Sequence, residues 1–130
     1  MSGLPEPKGI AKLKPISYNP DDDKFILFDD AVHRFEKIYP IDELTFQQQK
    51  KLVIKRLQTE LDAMQEKDKP TIQMSFSGPT LNTQQMIENV EKETDFGKTI
   101  IRSEISALRD YTLNIQEALE EEKQQKKKEN

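Results

Sequence analysis

The sequence predicts a mainly α protein: a helical hairpin followed by a long C-terminal amphipathic or coiled-coil helix, with room for one short strand at 71–76. Three observations carry this. Apolar residues recur at alternating spacings of three and four through most of the chain, the signature of a helix with one buried face. Strict period-two alternation occurs at 71–76 alone. Hydrophobic residues are only 34% of the 130, matched by 34% charged, a balance that suits thin helices with one wet face better than a thick core. Leu, Ile, Val and Phe together make up about a quarter of the chain, enough for folding and enough for one domain.

Residues 1–18 read as a flexible N-terminal arm. They hold Pro5, Pro7 and Pro15 with Gly3 and Gly9, and their aliphatic residues follow no period. A helix is expected over 20–39. Asn19 can cap it, Pro20 suits its first turn, and Asp21, Asp22 and Asp23 oppose its positive end. Phe25, Phe28, Val32, Phe35 and Tyr39 form its stripe. The competing reading makes 24–28 a buried strand, because four apolar residues run together there. The longer stripe favours helix.

A second helix is expected over 45–67, opened by a Thr45/Gln48 capping box and carrying Val53, Leu57, Leu61 and Met64. The short link between the two implies an antiparallel pair. Residues 71–76 read as a strand or an extended linker. A third helix is expected over 82–95, with Asn82 and Gln85 as its capping pair and Met86, Ile87 and Val90 on its stripe. Gly97 either ends it or sits inside one continuous helix over 83–122, about 60 Å long. The last helix, 98–122, carries Ile101, Ile105, Leu108, Thr112, Ile115 and Leu119 at spacings of 4, 3, 4, 3 and 4, a heptad row with one polar member. The domain plan is therefore an arm (1–18), one helical domain (19–122) and a charged tail (123–130).

The residues that chemistry would need are sparse. There is no cysteine, so thiolate metal sites and disulfides are excluded, and one histidine, His33, so His-based triads are excluded. The glycines stand alone, and no phosphate-cradling loop is present. The aspartates at 21–23, 29 and 30 lack calcium-loop spacing and are better explained by a helix start. Paired acids such as Glu88 and Glu91 fall on exposed faces, where nothing raises a carboxyl pKa. The expectation is no enzyme, no cofactor and no metal.

Net charge is −4, which argues against nucleic acid, whose binders neutralise phosphate. The basic residues of the tail are cancelled by Glu120, Glu121, Glu122 and Glu129. No apolar run reaches the roughly 18 residues of a membrane span. The default compartment is cytoplasmic. The function expected is a non-catalytic protein-interaction or scaffold subunit, using Ile101, Ile105, Leu108, Thr112, Ile115 and Leu119 toward a protein partner or a second copy through 98–122. The alternative is a small regulator of a nucleic-acid-associated complex, touching phosphate through the basic arm and tail. A closed bundle that buries the heptad row internally is the competing outcome for that row.

Overall fold

The computed structural model describes residues 6–63 and 82–129, with side chains described through 122. The chain is mainly helical, with a long C-terminal helix and a short two-stranded antiparallel sheet. The elements are β1 (Ser17–Asn19), β2 (Lys24–Ile26), α1 (Phe28–Val32), α2 (Phe46–Ala63), α3 (Thr83–Lys92) and α4 (Asp95–Glu129). Single 3-10 turns occur at Gly9–Lys12 and Ile41–Glu43. The extended segment expected at 71–76 lies outside the described residues, as do 64–67 of the second helix.

The expected helix over 20–39 is corrected to a β-hairpin, a short helix and an irregular segment. Asn19 does accept from the amides of Asp21 and Asp22, at 2.9 and 3.4 Å, as a helix cap would. The same bonds also close a turn, and Asp23, at φ +49°, reverses the chain instead of continuing it. Tyr18 then faces Phe25 across the ladder, with ring centroids 5.1 Å apart. The strand alternative for 24–28 is realised in part, as β2. α1 begins at Phe28, with the Asp30 carboxylate accepting from the Leu27 amide at 3.0 Å.

Residues at the end of the expected arm belong to the core. Ile16 and Tyr18 are buried, the Ile16 amide donates to Ile26 O at 2.7 Å, and the Ser17 hydroxyl donates to Tyr39 O at 2.7 Å. Arg56 on α2 reaches across to donate to Pro15 O at 2.7 Å.

The helical half follows the capping chemistry closely. Thr45 and Gln48 exchange side-chain and backbone bonds at 2.9 and 3.1 Å, and Asn82 and Gln85 do the same at 3.0 and 2.8 Å. The break before α4 falls at Glu93 and Thr94, not at Gly97. Glu93 takes the left-handed conformation at φ +54° and ends α3, while the Thr94 hydroxyl accepts from the Gly97 amide at 3.0 Å and opens α4. Lys50 of α2 fastens this turn, donating to Glu91 O at 2.9 Å and to the Glu93 carboxylate at 3.0 Å. Gly97 lies within α4 and lets it press on α3: a Cβ there would stand 2.0 Å from Asn89 O.

The hairpin is latched to α2 by Lys51, which donates to Asp23 at 2.8 Å and lies 4.9 Å from the Tyr18 ring centroid. Tyr18 donates its hydroxyl to the same carboxylate. The Lys51 ammonium, and then the Tyr18 hydroxyl, hold the Asp23 carboxyl below its ordinary 3.8, and the Asp23 carboxylate, then Tyr18, hold Lys51 above 10.5.

Two predictions follow from these contacts. In an open helix Gly→Ala gains about 1 kcal/mol. Gly97→Ala should instead lose about 2 kcal/mol or more, because the new methyl meets backbone rather than a movable side chain. Urea unfolding reads the sign. Asp23 has a lowered folded pKa, so its contribution is present above 3.8 and fades as pH falls through the folded value. Asp23→Asn should therefore lower the melting temperature near neutrality, and the gap to the parent should close below about pH 4, in melts followed by circular dichroism.

Candidate interaction surface

The heptad row is where the sequence placed the interface. The structure puts Ile101, Ile105, Leu108, Thr112 and Ile115 inside the single chain, all buried, with Leu119 half-buried at the edge. They pack in one core with Leu52, Val53 and Leu57 of α2 and with Met86, Ile87 and Val90 of α3. The row therefore follows the competing outcome, a bundle that buries it internally, and is not left for a partner to cover. Further cover comes from segments the sequence had assigned elsewhere: Ile16 lines a cleft with Leu108, Ile38 lines one with Leu119, and the Ile41–Glu43 turn contacts α4, while Ile26 and Leu44 join the same core. Thr112 meets its hydroxyl need within α4, donating to Leu108 O at 2.8 Å.

α4 is tied to the rest of the chain along its flanks. Arg56 approaches Glu104 at 3.6 Å, Arg109 pairs with Asp42 at 2.6 Å, and the Gln116 amide reaches Ile38 O at 3.5 Å. Ile115 is the last buried side chain described on α4, although the helix continues to Glu129. Leu113, half exposed, is the large apolar side chain of α4 that faces water.

Clefts interrupt the surface of the described residues, and three bear on a candidate site. One, of about 530 Å³, is lined by Leu13, Phe25, Leu27, Lys55 and Asp62. A second, of about 520 Å³, lies between residues 6–16 and α4, lined by Lys14, Arg56, Leu108 and Tyr111. Burial lifts the Tyr111 hydroxyl above its ordinary 10.0, against the nearby Arg56. The cations of this cleft have partners inside the chain, Lys14 with Glu60 at 3.4 Å and Arg56 with Glu104, so it presents no free charge to a ligand.

The third cleft, of about 450 Å³, lies between the segment after α1 and the end of α4. Ala31, Ile38 and Leu119 line it, with Phe35, Lys37 and Glu120 beside them. Phe35 is 77% exposed and sits at φ +58°. That conformation suits glycine or asparagine, and an aromatic residue held there costs on the order of 1–3 kcal/mol. The bend brings the Glu36 amide back to Asp30 O at 2.9 Å. Sequence reasoning missed Phe35, because its spacing to Val32 and Tyr39 matched a helical stripe. No signal in the sequence announces a positive φ at a phenylalanine.

His33 pairs with Glu6 at 2.6 Å on the surface. Among the described residues no three histidine, cysteine or acidic side chains come together as metal ligands would. No described helix is long and apolar enough to cross a membrane. No protein-family model, curated protein or solved structure matches the chain.

Because the row is core, its truncation should unfold the chain rather than dissociate an assembly. Ile105→Ala is expected to cost about 2–5 kcal/mol in urea unfolding, the range for a buried aliphatic that leaves a cavity. A loss below about 1 kcal/mol would mean that Ile105 is not in this core.

Proposed function

We propose that this chain is a non-catalytic helical protein-interaction or assembly subunit that acts through the outer face and far end of α4. The carrying observation is the mismatch between the length of α4 and its cover. Its 35 residues span about 52 Å, and the last buried side chain described lies at Ile115. A helix of that length, with its inner stripe already used for folding, has its remaining face free for contact. Leu113 supplies an exposed apolar anchor there, with exposed acids at Glu117, Glu120 and Glu121 farther along the helix, while Leu119 marks the edge of the inner stripe. An exposed apolar side chain on a charged, solvated face suits a contact surface.

The nucleic-acid alternative has less support. Lys14 of the basic arm is paired with Glu60, which leaves Lys8 and Lys12 as its cations.

Photo-crosslinking tests the proposal. A photoreactive amino acid at position 113, in the full chain at native abundance, should give discrete protein adducts. The same residue at exposed position 88 of α3 should not. Equal labelling from both positions, or none from 113, would refute the reading. Adducts to RNA or DNA from 113 would favour the alternative instead.

A further inference from the structure

We propose that the cleft between α1 and the end of α4 is a self-complementary docking surface, in which Phe35 of one copy enters the hollow of a second copy of this chain. The inference rests on the interaction reading above and names the partner for this part of the surface.

An interface with two-fold symmetry uses the same patch on both subunits, so the patch must carry both members of every complementary pair. A different partner would require only one member of each. This patch carries both members twice. Phe35 is a projecting ring, 77% exposed, and the hollow beside it is floored by Ala31, Ile38 and Leu119. Lys37 and Glu120 line the same cleft, are both exposed, and make no hydrogen bond or ion pair among the described residues. Glu36, the neighbouring acid, is held by Lys24 through one carboxylate oxygen, and its other oxygen is buried. Each copy thus offers a knob with a hollow and a free cation with a free anion.

The Phe35 backbone adds an independent argument. A position that favours glycine carries instead the most exposed large apolar side chain described in the chain. Folding gains little from that ring, most of whose area stays wet. A second copy that covers it would take that area out of water. The contact is expected to be weak, with the dimer forming in the range of about 10–100 µM.

Sedimentation equilibrium on the full chain, loaded up to about 500 µM, tests this. The parent should dimerise. Phe35→Gly should weaken the dimer at least tenfold while its melting temperature stays the same or rises, since glycine takes φ +58° without strain. Lys37→Glu and Glu120→Lys should each weaken the dimer, and the double reversal should restore it. A parent that stays monomeric throughout overturns the proposal. So does a Phe35→Gly dimer as tight as the parent's, or a double reversal weaker than both singles. Phe35→Gly that lowers the melting temperature in a monomeric chain would show the ring covered by the chain itself, which also overturns it. If the parent is monomeric while position 113 still crosslinks to another protein, this inference fails and the interaction reading stands. If both experiments are negative, both fail.

Discussion

The fold depends on covering the apolar row of α4. Ile101, Ile105, Leu108 and Ile115 each gain about 1.5–3 kcal/mol on leaving water, so a chain that left them bare would have little to fold for. α2 and α3 cover part of the row. Their own apolar faces are narrow, since the sequence is one-third charged. The rest of the cover is drawn from the N-terminal half, which lies over the helices as a hairpin, one short helix and irregular chain. This is why so much of that half is non-helical. It delivers Ile16, Ile26, Ile38, Ile41 and Leu44 to one core, which a single straight helix over that stretch could not do.

Irregular chain needs fastening, because its backbone lacks the internal ladder of a helix. Charged and polar residues of the helices do this. Arg56 reaches Pro15 O, Lys51 reaches Asp23, Arg109 reaches Asp42, and Gln116 reaches Ile38 O. Most are half exposed, and single pairs of that kind contribute little each. Their value is positional: they hold loops at the depth where their aliphatic residues fit. Lys50 does the same at the turn between α3 and α4, where Gly97 removes the one side chain that would keep the helices apart.

Legibility in the sequence follows the range of the interactions concerned. Capping is local, so the Thr45/Gln48 and Asn82/Gln85 boxes were readable, as was the stripe of the last helix. Asn19 shows the limit of local chemistry. Its side chain bonds to the next two amides whether a helix or a hairpin follows. What decided the outcome was Tyr18 against Phe25 and Lys51 on Asp23, and the latter is a contact 28 residues away. Gly97 is similar. Its neighbour is Asn89 of another helix, so the sequence revealed an oddity without its cause. The heptad row was legible as apolar and helical. Its inward direction was not, because the segments that cover it carry no period.

Phe35 occupies the opposite regime from the buried row. Its ring adds nothing to the core, and its backbone is strained, yet the segment that bears it is held firmly. Glu36 is tied to Asp30 and Lys24, Ile38 is buried, and Tyr39 O is bonded by Ser17. A mobile loop would relax the strain by leaving the left-handed region. This one is fixed from both sides, so the ring is held outward at the cost of the strain. A side chain fixed in that way loses little freedom when something covers it, which is the condition under which a small apolar contact gives useful affinity. The same packing that buries the α4 row thus presents one aromatic ring to solvent, beside the end of that row at Leu119. The inner stripe of α4 runs from full burial at Ile115 to half-burial at Leu119, and it is at that edge that the strained bend sets its ring.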